Sequence, residues 1–477
     1  MDRCPDDVLG QILVSAASFL PVLRSVCTRW KSLILTLDVS SRIATFEDLA
    51  ENGHAGPLEW IFGVRARFSR AEANSIMLGA TRGGHEGLAR RAKDWGANNF
   101  NLVAAHAACM GHSGLMRLAK NWGATDFNAA MAGAAERGHE SLVRLAKEWG
   151  AINFDWALAA AARGGHEGMM RLTKEWGGAD FDLTMAYAAE GGHEKLVRLA
   201  KEWGASDFNQ ALACAAKGGH EHVMRLTKDL GAVRFDWAMA EAAENGHERL
   251  VRLAREWGAA DFGGMLESSA RGGREDLMRL AKDWGANNYN WAANSAAEGG
   301  HLKLVYLAKE WGADDSDGIL ICAARGGHES LMRLAREWGA TSFDDAAASA
   351  ALRGHEEAVR LAKSWGATDF DRMAIFAADW GHEGIVRLAK EWGASNFDAI
   401  AAQAAGWGSE ALMRLARDWG AANFDGALVN AAQHGYEGLM RLARDWGATA
   451  FDKAIAVAVR RGRPGAADLL RAWVAGQ

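Results

Sequence analysis

The sequence predicts an all-α fold: an α-solenoid of repeated helical hairpins that follows a short N-terminal helical module. Trp-Gly pairs recur every 27 residues from Trp95 to Trp446, and the phase extends to Trp473 with Leu230 at one position, which gives 15 copies. Each copy holds two segments of helical spacing. The four prolines lie at positions 5, 21, 57 and 464, so none interrupts the central array. A fixed period of this size is typical of units that bury their core against neighbouring copies.

Residues 1–40 differ from the repeat in period and in composition. Pro5 precedes a helical stripe of Leu9, Ile12 and Leu13, and Val26 and Trp30 belong to further apolar faces. Three short helices would be marginally stable alone, so the module is expected to offer apolar surface to a partner. The alternative is an N-terminal cap that shields the first repeat.

The module resembles an F-box, whose pattern is Pro-Asp-x-x-Leu-x-x-Ile-Leu, a Leu-rich middle, and then Val-Cys-x-x-Trp-x-x-Leu. Cys4 occupies the usual leading Leu position, and the middle is atypical. The resemblance implies binding to a Skp-type linker subunit of a cullin-RING ubiquitin ligase. The residues it assigns to linker binding are Pro5, Leu9, Ile12, Leu13, Val26 and Trp30.

Residues 41–80 are poorly patterned and are interpreted as degenerate linker or capping hairpins. From residue 81 to 477 each copy reads as two helices, for example 154–165 and 166–177. Asp155, directly after Phe154, is predicted to be the N-cap of the first helix. Gly165 and Gly177 are predicted to end the two helices in left-handed backbone. Residues 451–477 are predicted to form the C-terminal cap.

The stretch AAEGGHEKLVRLAKEWGA, from Ala188 to Ala205, resembles the ankyrin repeat. The units differ from that family in length, with 27 residues instead of about 33, and in lacking the Thr-Pro-Leu-His start. The missing residues are those of the projecting β-hairpin finger. The resemblance therefore implies ankyrin-like hairpins with trimmed or absent β-fingers.

A second period of 54 residues runs through the array, because the residue three before each His alternates in charge. The row comprises Glu136, Arg163, Glu190, Lys217, Glu244, Arg271, Glu298 and Arg325. Adjacent hairpins are therefore expected to carry a ladder of opposite charges, each exposed pair contributing at most about 1 kcal/mol.

The recurring His residues raise the question of a metal site, since His166-Glu167 looks like the start of a zinc-protease motif. That motif needs a second His four residues after the first, and position 170 is Met. Neighbouring repeats lie about 8–10 Å apart, too far for two His ligands to share one zinc ion. We interpret the His residues as loop-stabilising and predict no metal and no cofactor.

The recurring Trp residues are interpreted as packing between repeats, with a ligand-binding aromatic track as the alternative. A row of Arg residues that includes Arg117, Arg144 and Arg171 could follow a phosphate backbone. Because Glu residues flank each of them, we interpret the row as a solvated outer face.

Two rows of the first helix vary between copies, and such variation marks either a binding face or relaxed selection. Both rows are expected to line the concave face of an ankyrin-like array, and aromatic anchors among polar groups suit a binding surface. The residues predicted to contact a client protein are Trp156, Tyr187, Trp237, Glu241, Trp291 and Phe376.

Composition excludes several classes of function. The net charge of −6 has its acidic and basic residues interleaved, which favours neither nucleic acid nor an anionic membrane as partner. Five dispersed cysteines without a CxxC pair argue against disulfides and predict a reducing compartment, the cytoplasm or nucleus. No apolar run reaches the roughly 18 residues that span a bilayer.

The favoured hypothesis is a non-enzymatic substrate-recognition subunit of an SCF-type ubiquitin ligase, a monomer within its complex. The pairing of an F-box with ankyrin-like repeats resembles proteins of large DNA viruses, which implies a role in modulating a host cell. The alternative is an ankyrin-like protein-binding scaffold without a ligase. An enzyme ranks third, because no nucleophile–base pair or metal cluster stands out.

Overall fold

The structure is a computed structural model that describes residues 46–65 and 68–475. These residues are all-helical, with no β-strand among them, as the sequence predicts. The predicted linker-binding residues Pro5, Leu9, Ile12, Leu13, Val26 and Trp30 lie outside the described residues. No helix in the described part is long and apolar enough to cross a membrane.

Each repeat is a hairpin of two helices, here named helix A and helix B. The chain divides into two compact units, Met1–Ala238 and Met239–Gln477. The helices A are Arg70–Arg82, Phe100–Cys109, Asn128–Glu136, Phe154–Arg163, Phe181–Glu190, Phe208–Gly218, Phe235–Asn245, Phe262–Arg271, Tyr289–Glu298, Ser316–Gly326, Phe343–Arg353, Phe370–Asp379, Phe397–Trp407, Asp425–His434 and Phe451–Arg460. The helices B are Ala55–Arg65, Glu86–Asp94, Ser113–Trp122, Glu140–Glu148, Glu167–Glu175, Glu194–Glu202, Glu221–Asp229, Glu248–Glu256, Glu275–Asp283, Leu302–Glu310, Glu329–Glu337, Glu356–Ser364, Glu383–Trp392, Glu410–Asp418, Glu437–Asp445 and Pro464–Ala475.

Helix A is Ala-rich and lies in the centre of the packing of each unit. It packs against its own helix B and closely against the helices A of adjacent repeats, whereas successive helices B have few mutual contacts. Ala157 and Ala161 are fully buried, and so is Met170 of helix B. Small side chains at these positions allow neighbouring helices A to approach closely. Stability therefore comes from stacking of copies, the arrangement of an α-solenoid.

The turns that end the helices use glycine in left-handed backbone, as the sequence predicts. Gly165 has φ of 82° after helix A, and Gly177 has φ of 115° after helix B. A side chain at either position would strain the backbone. Helix B then connects to the next helix A through a short loop that contains no strand in the described repeats, in agreement with the expectation that the β-finger is trimmed or absent.

The predicted N-cap of helix A is wrong by two residues. Asn153, the residue before Phe154, is the N-cap, and its side-chain oxygen accepts a hydrogen bond from the backbone N–H of Trp156 at 3.1 Å. Asp155 belongs to the first turn of the helix and bonds to a different repeat. Because Asn153 already caps the first turn of the helix, the Asp155 carboxylate can instead accept hydrogen bonds from outside its own helix.

The ends of the array continue the same pattern. Residues 46–51 form a helix within the segment interpreted as degenerate hairpins, and Glu51 of this helix accepts a hydrogen bond from His85 through its carbonyl oxygen, at 3.0 Å. Within the predicted C-terminal cap, Phe451 and Trp473 make an edge-to-face contact with ring centroids 6.4 Å apart.

Candidate protein-binding surfaces

Four sets of recurring residues are occupied in joining one repeat to the next. The first is an Asp or Asn in the first turn of helix A, which follows an aromatic residue in most copies. Asp155 accepts hydrogen bonds from the backbone N–H groups of Ala179 at 2.6 Å and Asp180 at 2.9 Å, in the loop of the next repeat. The same pair of bonds is made by Asn74, Asn101, Asn128, Asp182, Asn209, Asn290, Asp317, Asp344, Asp371, Asp398 and Asp425.

These bonds lower the pKa of several of the carboxyl groups. The pKa of Asp425 lies below its ordinary value because the backbone N–H groups of Thr449 and Ala450 donate to the carboxylate. Burial acts to raise the pKa of Asp317 and Asp371, but paired backbone N–H donors outweigh it and the net pKa is lowered. The charged form is thus the form that the fold stabilises.

The second set is the recurring His, which is loop-stabilising as predicted. His193 Nε2 lies 3.0 Å from the carbonyl oxygen of Arg163, the last residue of helix A in the preceding repeat. Its ring lies against Gly165, so a Cβ added there would come within 2.6 Å of the ring. Among the described residues, no group of three or more His, Cys, Asp or Glu is placed to hold a metal ion.

The third set is the recurring Trp, which packs as predicted and has contacts on two sides. Trp176 meets Phe154 of its own repeat edge to face, with ring centroids 6.0 Å apart. Lys147 of the preceding repeat places its Nζ 4.0 Å from the centroid of the same indole. Edge-to-face pairs and cation–π contacts each contribute about 0.5–1.5 kcal/mol. The ring is thereby engaged in packing.

The fourth set is the predicted charge ladder, which is present as ion pairs between successive helices A. The pairs are Arg163–Glu136 at 2.5 Å, Lys217–Glu190 at 3.1 Å, Arg271–Glu244 at 3.4 Å and Arg325–Glu298 at 3.7 Å. The outer Arg row is exposed and locally paired, as in Arg171–Glu167 at 2.7 Å. An exposed i,i+4 pair of this kind contributes only about 0.2–0.5 kcal/mol.

The residues left for a partner are those of helix A that vary between copies. In the first unit Trp156 and Trp237 are 40% and 39% exposed, although both occupy an otherwise closely packed helix. Tyr187 is half-buried, and the guanidinium carbon of Arg163 lies 5.1 Å from its ring centroid. The two Trp side chains are therefore the accessible anchors of this unit, and Tyr187 offers only part of its ring.

In the second unit Trp291 is the most accessible of the predicted contact residues, with 64% of its surface exposed. The equivalent positions in the preceding and following repeats are Gly264 and Gly318, so no side chains flank the indole along this row. Glu241 and Phe376 are half-buried, and Arg372 lies over the Phe376 ring at 5.5 Å. The Trp291 indole therefore exposes apolar surface, and the two glycines leave space on either side of it along the row.

Sequence reasoning missed a second set of exposed aromatic residues in the turns between helix A and helix B. Trp380 directly follows its helix A and Trp407 is the last residue of its helix A, and both occupy a repeat position that is Gly in many other copies. The signal was available, since each breaks the Gly-Gly-His pattern of the repeat.

Compared with protein-family models and with curated proteins, the sequence matches none. The fold defines a class instead: an all-α repeat protein whose recurring residues serve packing and some of whose variable residues, among them Trp156, Trp237 and Trp291, are exposed. In such proteins binding is carried by the positions that packing leaves free.

Proposed function

We propose that this protein is the substrate-recognition subunit of an SCF-type cullin-RING ubiquitin ligase. In this proposal residues 1–40 dock onto a Skp-type linker, and the helix A rows bind a client protein. The protein performs no chemistry itself, since it raises the local concentration of the client near the transfer machinery. Client binding is proposed because Trp156, Trp237 and Trp291 are exposed on helices whose other apolar residues are packed.

Exposed Trp residues favour protein binding because indole rings supply large, rigid contact area and dominate the energetics of interfaces. The ligase connection is supported by the F-box-like residues of the N-terminal module. The setting proposed is the cytoplasm or nucleus, of a host cell if the chain is viral.

The ligase connection is tested by co-expressing the full chain with a Skp-type linker and purifying through the linker. We expect a one-to-one complex that Leu9→Asp or Trp30→Ala abolishes. Retention of the complex in both variants, or its absence in the parent chain, contradicts the ligase proposal. A chain that captures a client but no linker supports the alternative, a protein-binding scaffold without a ligase.

Client binding is tested separately in each unit by cross-linking from cell extract followed by mass spectrometry. One variant combines Trp156→Ala, Tyr187→Ala and Trp237→Ala, and the other combines Glu241→Ala, Trp291→Ala and Phe376→Ala. Ile152→Ala is the matched control, since this exposed apolar residue lies in a loop outside both rows. Loss of one client in either variant, with unchanged circular dichroism, is expected. Clients that survive in both variants contradict the assignment.

A further inference from the structure

The turns between helix A and helix B in the last repeats form a surface unlike that of the other turns. Trp380 and Trp407 are 44% and 50% exposed, and their ring centroids lie 5.9 Å apart with planes inclined by 31°. In the next turn His434 stacks on Tyr436, with centroids 5.7 Å apart and an interplanar angle of 16°. We call Trp380, Trp407, His434 and Tyr436 the loop aromatic patch.

Two residues of the patch make the packing contact that the recurring His makes in other repeats, and part of their aromatic surface stays exposed. In most other copies the turn glycine is covered by the His of the next repeat, as His355 covers Gly327. Position 409 is Ser, and the Trp407 indole covers Gly381 instead. Tyr436 covers Gly408 in the same way. Because packing holds these rings, a partner would lose little side-chain entropy in contacting them.

Arginines border the patch on both sides. Arg353 lies over the Trp380 ring at 5.9 Å, and Arg463 lies against Gly435, the neighbour of Tyr436. Arg460 and Arg461 are exposed directly before Arg463 in the chain. None of these four forms an ion pair with another residue in the described part of the chain.

The acidic residues nearby leave a positive surplus. The Glu residues that begin the neighbouring helices B are paired with Arg four residues later, as in Glu383–Arg387 at 2.6 Å and Glu410–Arg414 at 2.7 Å. The other acidic residues of these segments are Asp379 and Glu357. Their two carboxylates are outnumbered by the four guanidinium groups of the bordering arginines. The surface therefore favours a negatively charged partner, in a chain whose net charge is negative.

We propose that the loop aromatic patch and its bordering arginines bind an acidic peptide segment of a partner protein, with an aromatic, aliphatic or proline side chain against Trp380 and Trp407. Single-stranded nucleic acid fits less well, because bases stack on open ring faces. Here Arg353 and Trp407 lie against Trp380, and His434 lies on Tyr436, so ring faces of Trp380 and Tyr436 are already occupied within the chain. This surface is separate from the helix A rows and does not depend on the ligase proposal.

The test selects peptides from a phage-displayed library of random 12-residue sequences against the full chain and measures the affinity of fluorescein-labelled selected peptides. We expect enrichment of Asp and Glu together with Pro, Leu, Phe or Trp. Affinity is expected to fall at least about 10-fold in Trp380→Gly and in the double variant Trp407→Gly with Ser409→His. The variant Arg461→Glu with Arg463→Glu is expected to weaken binding more at low salt than at high salt.

The Trp variants recreate residues that other copies contain, the Gly164-Gly165-His166 turn, so they are expected to fold. Circular dichroism and thermal unfolding check this. Ile152→Ala is the control, because this exposed apolar residue lies in a loop outside both the loop aromatic patch and the helix A rows, and its affinity for the selected peptides should equal that of the parent chain. Four outcomes overturn the proposal: selected peptides that are neutral or basic, equal binding by the Trp variants, displacement of the peptides by oligo-dT, or a parent dimer in sedimentation that the Trp407 variant dissociates.

Discussion

Asp155 accepts a hydrogen bond from the backbone N–H of Ala179 in the following repeat, at 2.6 Å. With its second bond, from Asp180, this carboxylate satisfies two consecutive donors of a loop that contains no secondary structure. Unpaired backbone donors in such a loop would otherwise rely on water. The contact fixes the position of each loop relative to the hairpin before it.

Asp155→Ala should destabilise the array by about 1–3 kcal/mol, because both backbone donors lose their hydrogen-bond acceptor. Urea unfolding followed by circular dichroism measures the loss, and hydrogen exchange at Ala179 and Asp180 localises it. Asp155→Asn is the matched control, since Asn101, Asn128 and Asn209 make the same bonds. Equal losses in the Ala and Asn variants would contradict this role.

Gly263 occupies the equivalent position in its own repeat and lacks the carboxylate. Gly263→Asp should stabilise the second unit by about 1–2 kcal/mol, because it adds an acceptor for the N–H groups of Asn287 and Asn288 and removes a helical glycine. The new Cβ would lie 3.2 Å from the end of the flexible Asn288 side chain. The midpoint of urea unfolding is the measurement. A variant less stable than the parent would show that the Asn288 side chain cannot move.

His193 is expected to be replaceable by Arg but not by Ala. Three copies later Arg274 stands in the His position, where its Nε donates to the carbonyl oxygen of Glu244 at 3.2 Å and its side chain covers Gly246. His193→Ala should therefore cost about 1–3 kcal/mol through the unpaired carbonyl of Arg163, and His193→Arg should retain most of the stability. Thermal unfolding compares the two, and equal stability would refute the hydrogen-bond account.

Acidification should destabilise the array in two stages. Burial holds the pKa of His355 below its ordinary value, so the contribution of this group is complete above the unfolded value of about 6.5 and is lost as pH falls below it. The lowered pKa of Asp425 has the same sign, with a loss that begins below about 3.9. The urea midpoint measured from pH 7.5 to 3 should show both stages. His355→Gln should flatten the first stage only, and an unchanged profile in that variant would contradict the assignment.

The ion pair of Arg163 and Glu136 should be worth no more than about 1 kcal/mol, because both side chains remain partly accessible to water. Burial acts to lower the pKa of Arg163, but the hydrogen bond and charge of Glu136 raise it overall. A double-mutant cycle with Arg163→Gln and Glu136→Gln isolates the coupling energy. A coupling of several kcal/mol would show that the pair is effectively desolvated.

Several features of the fold could be predicted because their cause lies within one turn or one repeat. Helical spacing, the positive-φ glycines after each helix and the Glu167–Arg171 pair depend on residues no more than a few positions apart. The internal repeats also act as a comparison, which is why the ladder of Arg163 and Glu136 was predictable at a separation of one period. The function of the N-terminal module could be inferred only from resemblance.

Contacts between repeats were harder to predict because they depend on how one hairpin is offset against the next. The residue type of Asp155 suits an N-cap, yet its carboxylate accepts a hydrogen bond from the backbone of a loop residue 24 positions later. Trp176 had an expected role in packing, but its second partner, Lys147, comes from the repeat before. Periodicity sets the sequence interval between equivalent residues. It does not set how one hairpin is rotated and shifted against the next, and that placement decides which side chains meet.

By itself, the sequence determined that this protein is an all-helical array of 27-residue hairpins with glycine turns and a repeating packing scheme. Tertiary structure alone decided which variable residues reach the surface, leaving Trp291 exposed between two glycines and Tyr187 half-buried beneath Arg163. The physical reason is that local backbone preferences and periodicity specify each hairpin. Exposure of a side chain depends on what the adjacent hairpin places beside it.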